Sequence, residues 1–296
     1  MNMIEIKVPA TSANIGPGFD CLGIALNLYN KFYIEEIENG LIIEGCDPSF
    51  ANEDNLVFTS MKKCFEKIGY RYNGIRIIIK ADIPVSRGLG SSAACILGGV
   101  VAANELGGDV LSKEEILELA TKIEGHPDNI TPALFGGMTV SITENNKVYY
   151  DNIDIAKGIK FYTLIPNFKL STEEARKILP DTVSHKDAVF NVGRTALMLT
   201  AMINGNFDLM KVGVKDRLHQ EYRGTLIEDF NYILDECNKL NTYGVFLSGA
   251  GPTIIVAVQQ EDDNILKAVK KKLEGLNSVW DLKELNVDYK GVSIIK

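Results

Sequence analysis

Pro84-Val85-Ser86-Arg87-Gly88-Leu89-Gly90-Ser91-Ser92-Ala93-Ala94 lies between an apolar, strand-like stretch over 75–80 and an apolar, helix-forming run over 95–103. Strand, glycine turn and helix therefore follow one another. Gly88 and Gly90 permit backbone dihedrals closed to other residues and let the chain approach a ligand without interference from a Cβ. Ser91 and Ser92 open a helix whose first amides have no partner inside it. With the positive end of the helix dipole at the same spot, the segment reads as an anion cradle, and phosphate is the expected guest. Read without a ligand, it is a glycine-rich turn with two serine caps. A P-loop would need a lysine after its second glycine, and Gly90 is followed by serine. The spacing Gly88-x-Gly90-x-x-Ala93 matches a dinucleotide fingerprint, but that fingerprint requires a second parallel strand ending in an acid about 20 residues on. Residues 112–124 read instead as a capped helix, so the dinucleotide reading fails.

At 296 residues the chain exceeds the usual size of a single core, and two domains are expected, 1–155 and 156–296. Apolar content of 46% and charged content of 24% fit an ordinary globular protein. No apolar run reaches membrane-spanning length, and the opening residues lack the basic and hydrophobic regions of a secretion signal, so a cytoplasmic protein is expected. Cysteines 21, 46, 64, 95 and 237 are odd in number and widely spaced, which argues against a disulfide framework or a structural zinc site. A net charge of −8 disfavours nucleic acid and anionic membrane as partners.

Strand-like alternation covers 4–8, 22–28, 31–37 and 41–44, with Asn39-Gly40 read as a hairpin turn. Helices are expected over 56–68 and 112–124, a hairpin over 138–150, and the domain seam near 151–158. The second half reads as a strand over 160–165, helices near 171–179, 185–204, 206–215 and 224–240, strands over 245–247 and 254–258, a helix over 263–273 and a last strand near 287–294. An α+β sandwich follows.

Four further segments sit oddly in a purely structural account. Residues 9–20 form a long Gly/Pro turn carrying Asn14 and Asp20, whose plain reading is local backbone bonding. Glu124-Gly125-His126-Pro127-Asp128-Asn129 ends a helix and brings polar side chains with it. Ser171-Thr172-Glu173-Glu174-Ala175-Arg176 is a capping box with Thr172 and Arg176 one helical turn apart. His219-Gln220-Glu221-Tyr222-Arg223 places an arginine in a polar turn of helix.

Taken together these segments resemble one family. The loop 84–94 is similar to the signature of the superfamily of galactokinase, homoserine kinase, mevalonate kinase and phosphomevalonate kinase. The segments 8–23, 124–129, 171–176 and 248–253 resemble the homoserine kinase family specifically, in order and nearly end to end. The resemblance implies a two-domain GHMP kinase fold. Its amino-terminal domain would be like ribosomal protein S5 domain 2, with a left-handed βαβ crossover, and its carboxy-terminal domain ferredoxin-like. It also implies ATP-dependent phosphorylation of the side-chain hydroxyl of L-homoserine in threonine biosynthesis, and a homodimer.

The same resemblance distributes roles. Pro84 to Ala94 would hold ATP, with Ser92 and the helix carboxylate Glu118 on Mg²⁺, a hard ion suited to oxygen ligands. Glu118 also reads as part of the wet face of its helix, beside Glu114 and Glu115. Homoserine is a zwitterion, so Asn14, Asp20 and Asp128 suit its ammonium while Arg176 and Arg223 suit its carboxylate, with His126 and Thr172 beside them. The family position of a general base is Asn129, whose amide accepts no proton. Either Asp128 takes the hydroxyl proton, or the proton leaves late to a phosphate oxygen, which a loose transition state allows and which is the favoured reading. Asn55, Tyr70 and Tyr72 could contact adenine or serve as cap and packing residues.

Overall fold

A computed structural model describes residues 3–262 and 264–295. A seven-stranded sheet holds β1 (Ile4–Ala13), β2 (Leu22–Ile37), β3 (Gly40–Glu44), β4 (Gly74–Ala81), β5 (Met138–Glu144), β6 (Lys147–Ile153) and the chain's final strand, Ser293–Ile295. Between them come α1 (Leu56–Ile68), α2 (Ser91–Leu106), α3 (Lys113–Glu124) and α4 (Ile130–Phe135). A four-stranded antiparallel sheet follows, built from β7 (Ile159–Pro166), β8 (Gly244–Leu247), β9 (Ile254–Gln259) and β10 (Trp280–Leu285) in the order β10-β7-β9-β8. Numbered within this sheet the order is 4-1-3-2, the ferredoxin-like arrangement. Its helices are α5 (Thr172–Lys177), α6 (His185–Asn204), α7 (Met210–Gly213), α8 (Gln220–Gly224), α9 (Phe230–Asn238) and α10 (Asn264–Leu273). The expected helix start at Asp263 lies outside the described residues. The final strand, β11, pairs with β1, so the end of the chain returns to the first sheet.

The hairpin expected at Asn39-Gly40 does not form. β4 lies between β2 and β3, antiparallel to the first and parallel to the second. The crossover through α1 supplies that parallel pair, as a parallel connection requires. Gly74 makes room for it, since a Cβ there would overlap the backbone of Asn39. The two stretches 22–28 and 31–37 form one strand, bent where its register against β1 slips between Pro9 and Ala10.

The second sheet is buried on both faces, and its side chains alternate accordingly. Phe161, Phe246, Ile255 and Ala257 point into the large core shared with the first sheet, where α6 adds Met198 and Met202. Tyr162, Leu164, Val245, Leu247, Val256 and Val258 point into a smaller core closed by Phe230 and Ile233 of α9 and Val269 of α10. Among the described residues, no helix is long and apolar enough to cross a membrane.

The two halves are joined through their glycine-rich loops. Gly88 has φ 75°, and a Cβ on it would overlap the carbonyl oxygen of Ser248 in the turn between β8 and β9. Ser248 Oγ donates to the Gly88 carbonyl at 2.6 Å, and the Thr253 amide donates to the Arg87 carbonyl at 3.2 Å. Gly88→Ala should therefore lose at least about 1–3 kcal/mol in thermal or denaturant unfolding. An unchanged unfolding midpoint would contradict this packing.

Candidate active site

A cavity of about 530 Å³ opens where these loops meet. Gly88, Gly90, Ser91 and Ser92 line it, whereas Leu89, Ala93 and Ala94 bury their side chains in the core beneath. Gly90 is the N-cap of α2, with φ 69° and no side-chain cap. Neither serine is spent on capping, and the helix presents its unpaired amides and positive end to the cavity. Ser92 Oγ instead donates to Glu124 Oε2 at 2.7 Å. Burial raises the Glu124 pKa, with the Ser92 hydrogen bond acting against it.

At the other end, Asp20 and Arg176 form a bidentate pair at 2.8 and 3.0 Å. The Asp20 hydrogen bond, opposed by burial, raises the Arg176 pKa. Asn14, nearly fully buried, accepts from the Asp20 amide and donates to the Gly249 carbonyl, tying the 14–20 turn to the β8–β9 turn. Arg223, 1% exposed, donates from Nε to the Ala175 carbonyl and from Nη1 to the Gly249 carbonyl. Burial, reinforced by Arg176, lowers its pKa to about 10. His219 Nδ1 lies 3.3 Å from Arg223 Nη1 and its Nε2 lies 2.8 Å from the Gly16 carbonyl. Burial lowers the His219 pKa, so the neutral ring donates from Nε2 and accepts from Arg223. His126 Nδ1 meets Asp128 Oδ1 at 2.6 Å.

The cavity thus unites Asn14, Asp20, Ser92, His126, Asp128, Asn129, Thr172, Arg176 and Arg223. Glu118 stands apart. It lines a separate surface cleft beside Lys63, Lys67 and Lys122, about 9 Å along α3 from Glu124 and about a third of a turn round it. Helix geometry thus gives the place beside Ser92 to Glu124. A sequence signal existed for this: an acid in the last turn opposes the helix dipole, whereas Glu114 and Glu115 at the start agree with it. Arg87 borders the cavity but spends its guanidinium on the carbonyls of Pro166, Asn167 and Val85, clamping the loop to the end of β7. Asn55 caps α1 by accepting from the Val57 amide, and it also lines the cavity with Leu56, Val57, Ile79 and Val85. Tyr70 and Tyr72 pack on Phe65. Lys169, which carried no signal in the sequence, lines the cavity as well.

Burial alone would lower the His126 pKa, but the hydrogen bond and charge of Asp128, with Glu124, outweigh it and the net shift is upward. The cation therefore persists above the ordinary histidine range of about 6.5. Its stabilisation is complete below the unfolded value and is lost as pH rises through the folded one. An NMR titration should place His126 above that range, and Asp128→Asn should bring it below. Equal values in the two proteins would contradict the assignment.

Residues 55–137 match the model of the GHMP kinase N-terminal domain, and residues 198–275 match that of the GHMP kinase C-terminal domain. A homoserine kinase of Clostridium botulinum is 59% identical over 292 residues, covering 99% of this chain and 98% of that protein. One from Clostridium beijerinckii is 51% identical over 295 residues, covering 99% of each. The crystal structure of homoserine kinase from Cytophaga hutchinsonii superposes with a TM-score of 0.89 at 26% identity, over 100% of this chain and 98% of that one. A mevalonate kinase structure, at 18% identity and a TM-score of 0.73 over 97% and 99% of the two chains, shares the fold. Two matched domains in sequence, and relatives alike from end to end, establish that this chain belongs to the GHMP kinases and, within them, to the homoserine kinases.

Proposed function

We propose that this protein transfers the γ-phosphoryl group of ATP to the side-chain hydroxyl of L-homoserine, giving O-phospho-L-homoserine for threonine biosynthesis. One observation carries the reading. A single cavity has an anion cradle at one end and paired acid and arginine side chains, suited to a free amino acid, at the other. Relatives named homoserine kinase at 51–59% identity support the same substrate.

Phosphoryl transfer asks a protein for alignment and charge neutralisation more than for covalent chemistry. Amides of residues 88–93 hold the phosphates, and Lys169 offers a cation to the same cavity. The apolar end formed by Leu56, Val57, Ile79 and Val85, with Asn55, suits a purine. The metal would be Mg²⁺, for which a hydroxyl and a half-buried carboxylate in contact are a fitting pair of oxygen donors. Ser92 and Glu124 would hold it, and bound there it neutralises charge on the phosphate oxygens.

Asp20 and Arg176 satisfy each other across the cleft, and a zwitterion can replace both partners at once, its ammonium on Asp20 and its carboxylate on Arg176 and Arg223. Mevalonate or shikimate has no ammonium and would strand Asp20, which is costly in a partly buried pair. Asp128 already accepts a 2.6 Å bond from His126. That oxygen is therefore already engaged, which supports late release of the hydroxyl proton to a phosphate oxygen. Five free thiols fit a reducing cytoplasm. A homodimer fits the outer face of α6, where Val189, Val192 (71% exposed), Ala196 and Ile203 form a stripe with Gly193 open beside it. An antiparallel second copy would set the small centre of that stripe on itself and Val189 on Ile203 of the partner subunit.

With ATP and Mg²⁺, ADP release should depend on homoserine and stay near background with mevalonate, shikimate or galactose. Comparable turnover of mevalonate or shikimate would overturn the substrate assignment. Glu124→Gln should lower turnover by about a hundredfold or more, with Mg²⁺ dependence shifted to higher concentration, while Glu118→Gln stays within about threefold of the parent. The reverse ranking would return the metal to Glu118. Val192→Glu should convert a dimer to a monomer in light scattering, and a monomeric parent protein would refute the α6 pairing.

A further inference from the structure

Thr11 lies in the fully buried second half of β1, where a hydroxyl must find a partner. It finds one 118 residues away, with Thr11 Oγ1 donating to Asn129 Oδ1 at 2.7 Å. The same residue grips the phosphate loop. Its amide donates to the Leu89 carbonyl at 3.2 Å, and a Cβ on Gly90 would overlap its Oγ1. One side chain therefore touches both the residue that starts α2 and the residue that faces the acceptor.

Asn129 depends on that contact for its orientation. It is the N-cap of α4 but makes no side-chain cap bond, so its own helix does not hold its amide. Asn129 Nδ2 lies 3.5 Å from Asp128 Oδ1, and an inverted amide would set its carbonyl oxygen against that carboxylate. A hydroxyl could accept either orientation, but Thr11 and Asp128 together allow only one. The carbonyl is consumed by Thr11, and the N–H donors face Asp128 and the cleft.

We propose that Thr11 is a positioning residue for the transfer: it ties Asn129 to Gly90 and so sets the acceptor side of the site against the phosphate cradle. The proposal rests on the phosphotransfer reading. In this arrangement Asn129 donates to an oxygen in the cleft and takes no proton. Its spacing from the phosphates is set by packing, since Thr11 is buried behind both. Small errors in such spacing cost rate rather than binding.

Thr11→Val removes the donor at nearly constant volume. Its kcat for homoserine-dependent ADP formation should fall about tenfold or more, with both KM values within about twofold of the parent, while Thr11→Ser keeps most of the rate. Thr11→Val added to Asn129→Ala should cost nothing further, because the two side chains act as a unit. A parental kcat in Thr11→Val, independent losses in the double variant, or a Thr11→Ser as slow as Thr11→Val would overturn the proposal. If Thr11→Val does not fold, Thr11→Ser against Thr11→Ala makes the same comparison one methyl smaller. If the parent protein shows no homoserine-dependent turnover, the substrate reading fails instead. The Asn129 side-chain amide resonances, which should move in Thr11→Ala and stay in Thr11→Ser, then decide the role of Thr11 alone.

Discussion

Everything in the site hangs on the contact between two turns, 88–90 and 248–251, where Gly88 lies so close to the Ser248 and Gly251 carbonyls that a Cβ would overlap them, and polar side chains bridge the rest. The Gly88 carbonyl accepts from Ser248, and the Gly249 carbonyl accepts from both Asn14 and Arg223. The Gly249 amide donates to Ala13 at 3.1 Å. Buried peptide groups must be paired, and here carbonyls of one turn take their donors from side chains and amides elsewhere in the chain. The glycine turn that starts α2, the 14–20 turn and the arginine of α8 are thereby fixed in one frame. Catalysis by alignment requires such a frame, because tenths of an ångström between donor and acceptor oxygens translate into rate.

Within that frame the charges are left in tension. Glu124 is half-buried beside a hydroxyl, and its partial desolvation raises its pKa. Arg223 is driven down by burial and by Arg176. Asp20 and Arg176 neutralise each other. His219 has the opposite role. Held neutral, it accepts from Arg223 and keeps that guanidinium in place without adding charge.

Much of this was legible in the sequence. The strand, glycine turn and helix around 84–94, the capping boxes at Ser112 and Ser171 and the long α6 follow from periodicity and cap chemistry. The placing of β3 was not, because Asn39-Gly40 carries a good hairpin signal and only the inserted β4 overrides it. β10 escaped notice because its residues between Trp280 and Leu285 are charged or half-buried and show no clean alternation. Glu118 and Glu124 lie on one helix; the dipole marks Glu124 as the odd acid, but only the direction in which α3 meets α2 shows that it reaches Ser92. Arg87 and Thr11 show the same limit. A cation in a phosphate loop and a threonine in a strand have local explanations, and their long-range partners appear only once the chain is folded.

The most direct test is a crystal structure with a non-hydrolysable ATP analogue, Mg²⁺ and homoserine bound together. The account predicts the triphosphate on the amides of residues 88–93, the metal on Ser92 and Glu124, and the amino acid between Asp20 and the two arginines with the Asp20–Arg176 pair opened. A metal on Glu118, or a nucleotide bound away from the start of α2, would contradict it.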